Sequence, residues 1–228
     1  MTGPLKMVSS MATRELLATL AAQYQRESGI VVQAEAAGGV EVARRISEGE
    51  AADVVVLASN AIDKLIAGDR IIGSRVDLVR SGIALAVQAG AARPPVATEQ
   101  DVKAAVQAAP SLSYSTGPSG VYLENLFARW GILDEVRPRI VVPPPGVPVG
   151  SLVADGRAAL GFQQHAELMN LAGIIVLGPL PDSIQSMTTF SGAVCAASAQ
   201  RAAAAALLDF LAAPCVAATK HQFGMEAA

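Results

Sequence analysis

The chain repeatedly switches from a short apolar run to a helical pattern at a pair of small residues. The first case is Leu5 to Arg14, LKMVSSMATR, where an apolar run stops at Ser9-Ser10 and a helical pattern begins. Similar switches occur at Gly38-Gly39 and after the apolar run Asp53 to Leu57. Strands and helices that alternate in this way predict an α/β fold with a parallel sheet, whose ligands bind beyond the carboxyl ends of the strands.

Two more junctions of small residues follow in the second half of the chain, at Thr116 to Gly120 and at Val149-Gly150-Ser151. A helix that begins at such a junction presents unpaired backbone N–H groups and the positive end of its dipole, which favour an anion. The alternative at each single junction is an ordinary turn or a helix cap, provided by Ser10 or Thr13 at the first one. Repetition of the junction favours a site for a small oxyanion or carboxylate.

The length of the chain is sufficient for two lobes, because 228 residues of which 52% are hydrophobic can bury a sizeable core. A strand-like run from Val76 to Gln88 is interrupted at Arg80-Ser81-Gly82, and another from Gln185 to Ala197 contains Gly192. We predict that both runs cross between lobes, each with a mixed, mostly parallel sheet, and that a ligand cleft lies between them. The predicted boundaries are 1–80 with 193–228 for one lobe, 81–192 for the other, and crossings near 78–88 and 186–197.

Charge and motifs exclude several classes of function. A net charge of -3 without a dense run of Lys and Arg argues against nucleic acid or an anionic membrane surface as a partner. Cys195 and Cys215 stand in apolar surroundings without metal-ligand spacing, so both are predicted to be buried and reduced, and neither a metal nor another cofactor is expected. The spacing G-x-S-x-G of a lipase elbow is absent, as is a phosphate-binding loop, which makes hydrolase chemistry a poor hypothesis.

No apolar run reaches the roughly 20 residues of a membrane span, and the first residues lack the pattern of a secretory signal. As numbered, the chain is therefore expected to be cytoplasmic and not inserted in a membrane. It would be periplasmic if a leader had been removed.

Five segments resemble the molybdate-binding branch of the type 2 periplasmic-binding-protein superfamily, and the resemblance extends over nearly the whole chain. They are SSMATR, GGVEVARRI, GEAADVVVLAS, YSTGPSGVYLENLF and ALGFQQHAEL. The resemblance implies a two-lobed solute-binding protein that closes on a small anion by hinge motion, with an ABC-transporter permease as a partner only if the protein is exported.

By position, the oxyanion pocket of that branch corresponds to Ser10 to Ala12, Gly39-Val40, Ser119, Pro148-Val149 and Gln164. With neighbouring polar and small residues, the predicted ligand-binding set is Ser9, Ser10, Met11, Ala12, Thr13, Gly38, Gly39, Val40, Arg80, Thr116, Ser119, Gly120, Pro148, Val149, Gln163 and Gln164.

Two positions depart from the pattern of the molybdate-binding branch. Gln164 stands where a tyrosine is typical, and Gly38-Gly39 where a serine-rich segment is typical. The segments FQQ and LPDSIQSMTTFSG resemble instead relatives of the branch that act on polycarboxylates, including aconitate isomerase. The alternative function is therefore that of a cytoplasmic isomerase, which moves the double bond of a tricarboxylate by allylic proton transfer.

A few side chains could carry the chemistry. Arg80 could clamp a carboxylate; its alternative is an exposed arginine or one paired with Asp77. His165, near the start of a predicted helix that opens with Gln163-Gln164, could shuttle a proton, or it could be structural. Glu167 could be the base, or it could complement the helix dipole. Gln163 and Gln164 could donate amide N–H groups to a ligand, or lie in a solvated loop. Binding is the main prediction, and catalysis is left open.

Overall fold

A computed structural model describes residues 3–144 and 146–228, so that Met1, Thr2 and Pro145 lie outside the described residues. The chain forms two compact units. The first comprises the residues up to Arg80 together with Thr189–Ala228, and the second comprises Ser81–Thr188. The chain returns to the first unit at Thr189. The predicted lobe boundaries stay a prediction.

The strands of the described residues are β1 (Leu5–Ser10), β2 (Val32–Ala37), β3 (Val54–Ala58), β4 (Ile71–Ser81), β5 (Ile83–Gln88), β6 (Leu112–Tyr114), β7 (Leu160–Gln164), β8 (Ile174–Pro179), β9 (Thr188–Cys195) and β10 (Glu226–Ala227). The helices are α1 (Arg14–Ser28), α2 (Gly39–Ser47), α3 (Ser59–Ala67), α4 (Glu99–Ala108), α5 (Pro118–Arg129), α6 (Leu133–Val136), α7 (Val149–Ala154), α8 (His165–Leu168), α9 (Arg201–Ala212) and α10 (Ala217–Gln222). The predicted α/β class follows directly from this alternation.

The sheet of the first unit has the strand order β10-β4-β9-β3-β1-β2. β1 is parallel to both β2 and β3, whereas β9 is antiparallel to β3. All five residues of β3 are buried, as its uniformly apolar sequence predicts for a central strand. α1 buries Leu16, Leu17 and Leu20 on one face and ends at Gly29, whose positive φ of 75° is the left-handed conformation that glycine adopts readily.

The sheet of the second unit has the order β6-β7-β5-β8. β5 is antiparallel to both β7 and β8, and β6 is parallel to β7, so three of the four strands run in one direction. Phe127 of α5 packs against the rings of Tyr114, Trp130 and Phe162, with ring centroids 5.8 to 6.1 Å apart. The mixed sheet predicted for this part of the chain is present, with two of its three strand pairings antiparallel.

Two local predictions are wrong. Gln163 and Gln164 do not open a helix; they are the last residues of β7, where they pair with Ala84 and Ile83 of β5. Cys195 is buried as predicted, but Cys215 is exposed; both are free thiols. Cys215 follows Pro214 in a short 3-10 turn after α9, where the apolar neighbours in sequence do not enclose it.

No single helix in the described ranges is long and apolar enough to cross a membrane. The segments Arg201–Ala212 and Pro214–Gln222 meet the length and composition requirement only as a pair, which is bent by 56°.

Candidate functional site

The carboxyl ends of three parallel strands lie side by side in the first unit. In the strand register Ser10 is opposite Ala37 of β2, and Ser9 is opposite Val56 of β3. A helical segment follows each strand: a 3-10 turn and α1 after β1, α2 after β2, and α3 after β3. Their first N–H groups therefore gather at one edge of the sheet, which is where α/β proteins bind ligands.

Two of the predicted ligand-binding segments, Ser9 to Thr13 and Gly38 to Val40, meet at this edge. A Cβ atom added to Gly39 would lie 3.6 Å from the Cβ atom of Ser10, so the start of α2 packs directly on the end of β1. No side chain caps α2. Its first N–H groups precede the first helical hydrogen bond, which runs from Val42 to the Gly38 carbonyl. These groups are available to a ligand acceptor.

Ser10 itself has no hydrogen-bond partner for its hydroxyl among the described residues, although only 6% of its surface is exposed. The neighbouring hydroxyls differ: Ser9 Oγ donates to the Glu35 carbonyl at 3.4 Å, and Thr13 Oγ1 donates to the Ser10 carbonyl at 3.2 Å. Neither Ser10 nor Thr13 caps the helix with its side chain, so the capping alternative is wrong. The Ser10 hydroxyl is thus a buried donor without an acceptor.

A polar cluster that the sequence did not indicate lies on neighbouring elements of the first unit. Ser59, the first residue of α3, donates its hydroxyl to the Thr189 carbonyl at 2.9 Å and contacts Ser191 Oγ at 2.8 Å. Ser191 in turn donates to Asp77 at 2.6 Å, and Arg75 binds the same carboxylate. Ser59 and Ser191 are more than a hundred positions apart in the sequence, so no local pattern could have identified the cluster.

Arg80 already has a carboxylate partner in its own unit. Its guanidinium donates to Glu226 of β10 at 3.2 Å, and 48% of the Arg80 side chain is exposed. The predicted alternative was correct in describing an exposed arginine but wrong about the partner, because Asp77 binds Arg75. Antiparallel pairing of β10 with β4 sets Glu226 directly opposite Arg80.

In the second unit, the loop from Thr116 to Gly120 forms the start of α5. Ser119 is 5% exposed, and its hydroxyl forms a 2.8 Å hydrogen bond with that of Ser115. A Cβ atom on Gly120 would lie 1.7 Å from the Ser115 carbonyl oxygen, so this turn requires glycine. Thr116 is exposed. The predicted role of these residues in ligand binding stays a prediction.

Gln163 and Gln164 are buried, so the prediction of a solvated loop is wrong. Gln163 accepts a hydrogen bond from the backbone N–H of Gly150 at 3.1 Å and donates to Glu167 at 2.7 Å. It thereby joins the start of α7, which follows Pro148 and contains the buried Val149, to α8. A carboxamide that satisfies both of these groups is held rigidly.

The Gln164 amide binds to the protein itself. With its amide oriented to match its neighbours, it donates to the Ser81 carbonyl at 2.9 Å and accepts from Thr188 Oγ1 at 2.9 Å. Ser81 and Thr188 are the first and last residues of the second unit. Gln164 therefore connects the two ends of the second unit, and its predicted role as a ligand donor stays a prediction.

Glu167 and His165 lie together on α8. Burial raises the pKa of Glu167 to about 7, although the hydrogen bonds from Gln163 and from the backbone of Gln164 lower it. His165 is half-buried, and its backbone N–H donates to the Gly82 carbonyl at 2.9 Å. A carboxyl group with this pKa can hold or release a proton near neutral pH.

Comparison with known sequences gives two results. A family model described as bacterial extracellular solute-binding protein matches residues 5–226. An aconitate isomerase from Pseudomonas sp is 36% identical over 217 residues, which are 91% of this chain and 82% of the relative.

Two solved structures have the same fold. The periplasmic molybdate-binding protein of Azotobacter vinelandii superposes with a TM-score of 0.80 at 22% identity, covering 97% of this chain and 98% of its own. A sulfate-binding protein from Mycobacterium tuberculosis superposes with a TM-score of 0.78 at 13% identity, covering 98% and 86%. The predicted resemblance and fold class are thereby confirmed.

Proposed function

Because the chain belongs to the family of bacterial extracellular solute-binding proteins, we propose that its solute is a small anion bound where β1, β2 and β3 end in the first unit. The observation that carries the proposal is the buried Ser10 hydroxyl without an acceptor. Leaving such a group unsatisfied costs about 1–3 kcal/mol, which an acceptor atom on the ligand would recover. The 3-10 turn that follows Ser10 and the adjacent start of α2 provide N–H donors for the same ligand.

Neutral donors make the direct contacts with the ligand in this proposal. Arg75 is engaged by Asp63 and Asp77, and Arg80 is engaged by Glu226. A ligand at the ends of the strands would therefore meet hydroxyl and N–H groups. Such groups stabilise an ionised ligand without requiring a counter-charge.

Among small anions, we favour a polycarboxylate over an oxyanion. The relative at 36% identity is named as an aconitate isomerase, and the chain spans most of it. The two solved structures named for molybdate and sulfate are less than 25% identical to this chain, so they support only the fold.

The family description also supports a place outside the cytoplasm, with an ABC-transporter permease as the partner that receives the solute. Expression of the complete gene followed by separation of periplasmic and cytoplasmic fractions tests the location. Recovery of the mature protein only in the cytoplasmic fraction would contradict it.

A thermal-shift panel tests the ligand. The panel contains molybdate, tungstate, sulfate, citrate, cis-aconitate and trans-aconitate, with tricarballylamide as the uncharged control. At a ligand concentration of 100 times Kd, binding stabilises the folded state by about 2.7 kcal/mol, which raises the midpoint by several degrees. We expect a response to the tricarboxylates. A response to molybdate alone would reassign the ligand, and no response to any anion would refute the proposal.

A second candidate is the isomerase reaction, favoured by Glu167. Its carboxylate would take a proton from the methylene carbon of trans-aconitate, the double bond would shift, and the proton would return to the former vinylic carbon. A pKa of about 7 allows both halves of this transfer at neutral pH. His165 on the same helix is the other candidate for moving the proton.

Incubation with trans-aconitate, followed by chromatographic detection of the cis isomer, tests the second candidate. Glu167→Gln keeps the contact with Gln163 but cannot transfer the proton. We expect it to lose at least a hundredfold in rate, the lower part of the range for general acid–base catalysis. Glu124→Gln is the matched control, because Glu124 only accepts a hydrogen bond from Tyr114 in the described contacts. Binding of trans-aconitate without conversion by the wild type would rule out the isomerase.

A further inference from the structure

A lysine is buried behind the β1–α1 junction of the first unit. Lys220 of α10 is 2% exposed, and its ammonium donates to the Leu78 carbonyl of β4 at 2.9 Å. It lines a cavity of about 10 Å³ that is also lined by Thr13. The other lining residues are apolar: Leu16, Leu17, Leu20, Val56, Leu78, Val79 and Leu211.

The charge of Lys220 is poorly compensated by the protein. None of the ion pairs found among the described residues includes it. Burial accordingly lowers the pKa of Lys220. Its position in the last turn of α10 is favourable for a cation. The nearby start of α1 is unfavourable for a cation, because the positive end of that helix dipole lies beside Thr13.

Thr13 connects this cavity to the proposed anion site. Its hydroxyl donates to the Ser10 carbonyl at 3.2 Å, within the same turn that contains the unpartnered Ser10 hydroxyl. Thr13 therefore belongs both to the β1–α1 junction and to the wall of the cavity. A buried positive charge at this depth acts through a medium of low dielectric, where salt screens it little.

We propose that Lys220 determines the affinity of the first unit for anions, by placing a buried positive charge behind Ser10 to Thr13 that the bound ligand neutralises. The inference rests on the proposed function. In the free protein the charge is a cost, since only one of the three ammonium protons has a protein acceptor among the described contacts. In the bound protein the same charge attracts each negative charge of the ligand.

The competing explanation is that Lys220 merely fastens α10 to β4. The Leu78 carbonyl has a second donor, the backbone N–H of Ala228 at 3.4 Å. Replacing Lys220 by Met therefore leaves that carbonyl with a partner and fills the cavity with an apolar chain of similar length. The charge explanation predicts that this variant loses affinity without losing stability.

The test measures Kd by calorimetry for three probes of increasing charge: butyrate, glutarate and tricarballylate. Lys220→Met should weaken binding by at least about threefold for each carboxylate of the probe, because the lost Coulomb attraction acts on every negative charge of the ligand. Lys220→Arg, which keeps the charge, should retain most of the affinity. Lys64→Met is the matched control, because it removes the same charge from an exposed position on α3.

Urea unfolding of the ligand-free variants completes the test. We expect Lys220→Met to be at least as stable as the wild type. If it fails to fold, or weakens all three probes by one factor, the lysine is structural and the inference is overturned. If wild type and Lys220→Met bind tricarballylate equally well, the inference fails while the proposed function stands. If the wild type binds no probe, the inference fails, and the proposed function fails with it only if no anion of the thermal-shift panel binds either.

Discussion

Replacing Ser10 by Ala should weaken anion binding without weakening the fold. In the free protein the Ser10 hydroxyl is buried and has no acceptor among the described residues. In the proposed complex it donates to an ionised ligand atom. The substitution therefore removes an interaction that exists only in the bound state, and it removes an unsatisfied group from the free state.

The expected size follows from these two states. A hydrogen bond to a charged group contributes about 1.5–3 kcal/mol, so Kd should rise by about ten- to 150-fold. An unsatisfied buried hydroxyl costs about 1–3 kcal/mol, so the free energy of unfolding should stay the same or rise by roughly 1 kcal/mol. The Cβ atom that packs against Gly39 is kept, so no cavity of consequence opens.

Calorimetric titration with the best anion of the thermal-shift panel measures the first quantity, and urea unfolding without ligand measures the second. Ser9→Ala is the control, because the Ser9 hydroxyl already donates to the Glu35 carbonyl. We expect its Kd to change less than threefold. If Ser10→Ala bound the anion as tightly as the wild type, or if Ser9→Ala lost as much affinity, the assignment of the Ser10 hydroxyl to the ligand would be refuted.

Three further predictions concern the second unit. Gly120→Ala would place a Cβ atom 1.7 Å from the Ser115 carbonyl oxygen. It should lower the free energy of unfolding, measured in urea, by about 2–3 kcal/mol. Gly117→Ala is the control and should be almost neutral, because its Cβ atom would lie 3.7 Å from its nearest neighbour. Because the folded state raises the pKa of Glu167 to about 7, the protonated form stabilises the fold below pH 4.5, and this contribution of about 3 kcal/mol is lost as pH rises through 7. Glu167→Gln should flatten the dependence of urea stability on pH, and unchanged profiles would contradict the burial of this carboxyl group. Gln185→Leu removes two hydrogen bonds to the backbone of one strand residue, at 2.8 and 3.0 Å, and should cost about 1–3 kcal/mol; an unchanged thermal midpoint would show that the pair contributes nothing.

Local patterns were sufficient for the elements that form the candidate site. The apolar run before Ser9-Ser10, the switch at Gly38-Gly39 and the glycine in the Thr116 to Gly120 loop each have a physical reason within a few residues of sequence. Their meeting could also be predicted in part, because the ends of adjacent parallel strands share one edge of a sheet. The register between β1 and β2, and the packing of Gly39 on Ser10, agree with that expectation.

Side-chain partners could not be predicted in this way. Arg80 binds Glu226, which is far away in sequence, and Gln164 binds Ser81 and Thr188 at the two crossings. The sequence suggested Asp77 as the partner of Arg80 and a ligand as the partner of Gln164. Both choices were reasonable from neighbouring residues, but a hydrogen bond depends on a few tenths of an ångström between atoms whose positions are set by the whole unit.

The amino-acid sequence by itself determined the α/β alternation, the small-residue junctions at the strand ends and the family resemblance, because each depends on local periodicity or local motifs. Only the tertiary structure decided that Ser10 caps nothing, that Gln164 is satisfied by the protein, and that Lys220 is buried without an ion-pair partner among the described residues, in a cavity that Thr13 also lines. Each of these facts concerns whether a polar group has a partner. Partners come from strands and helices brought together by burial of apolar surface, which acts without regard to distance along the chain.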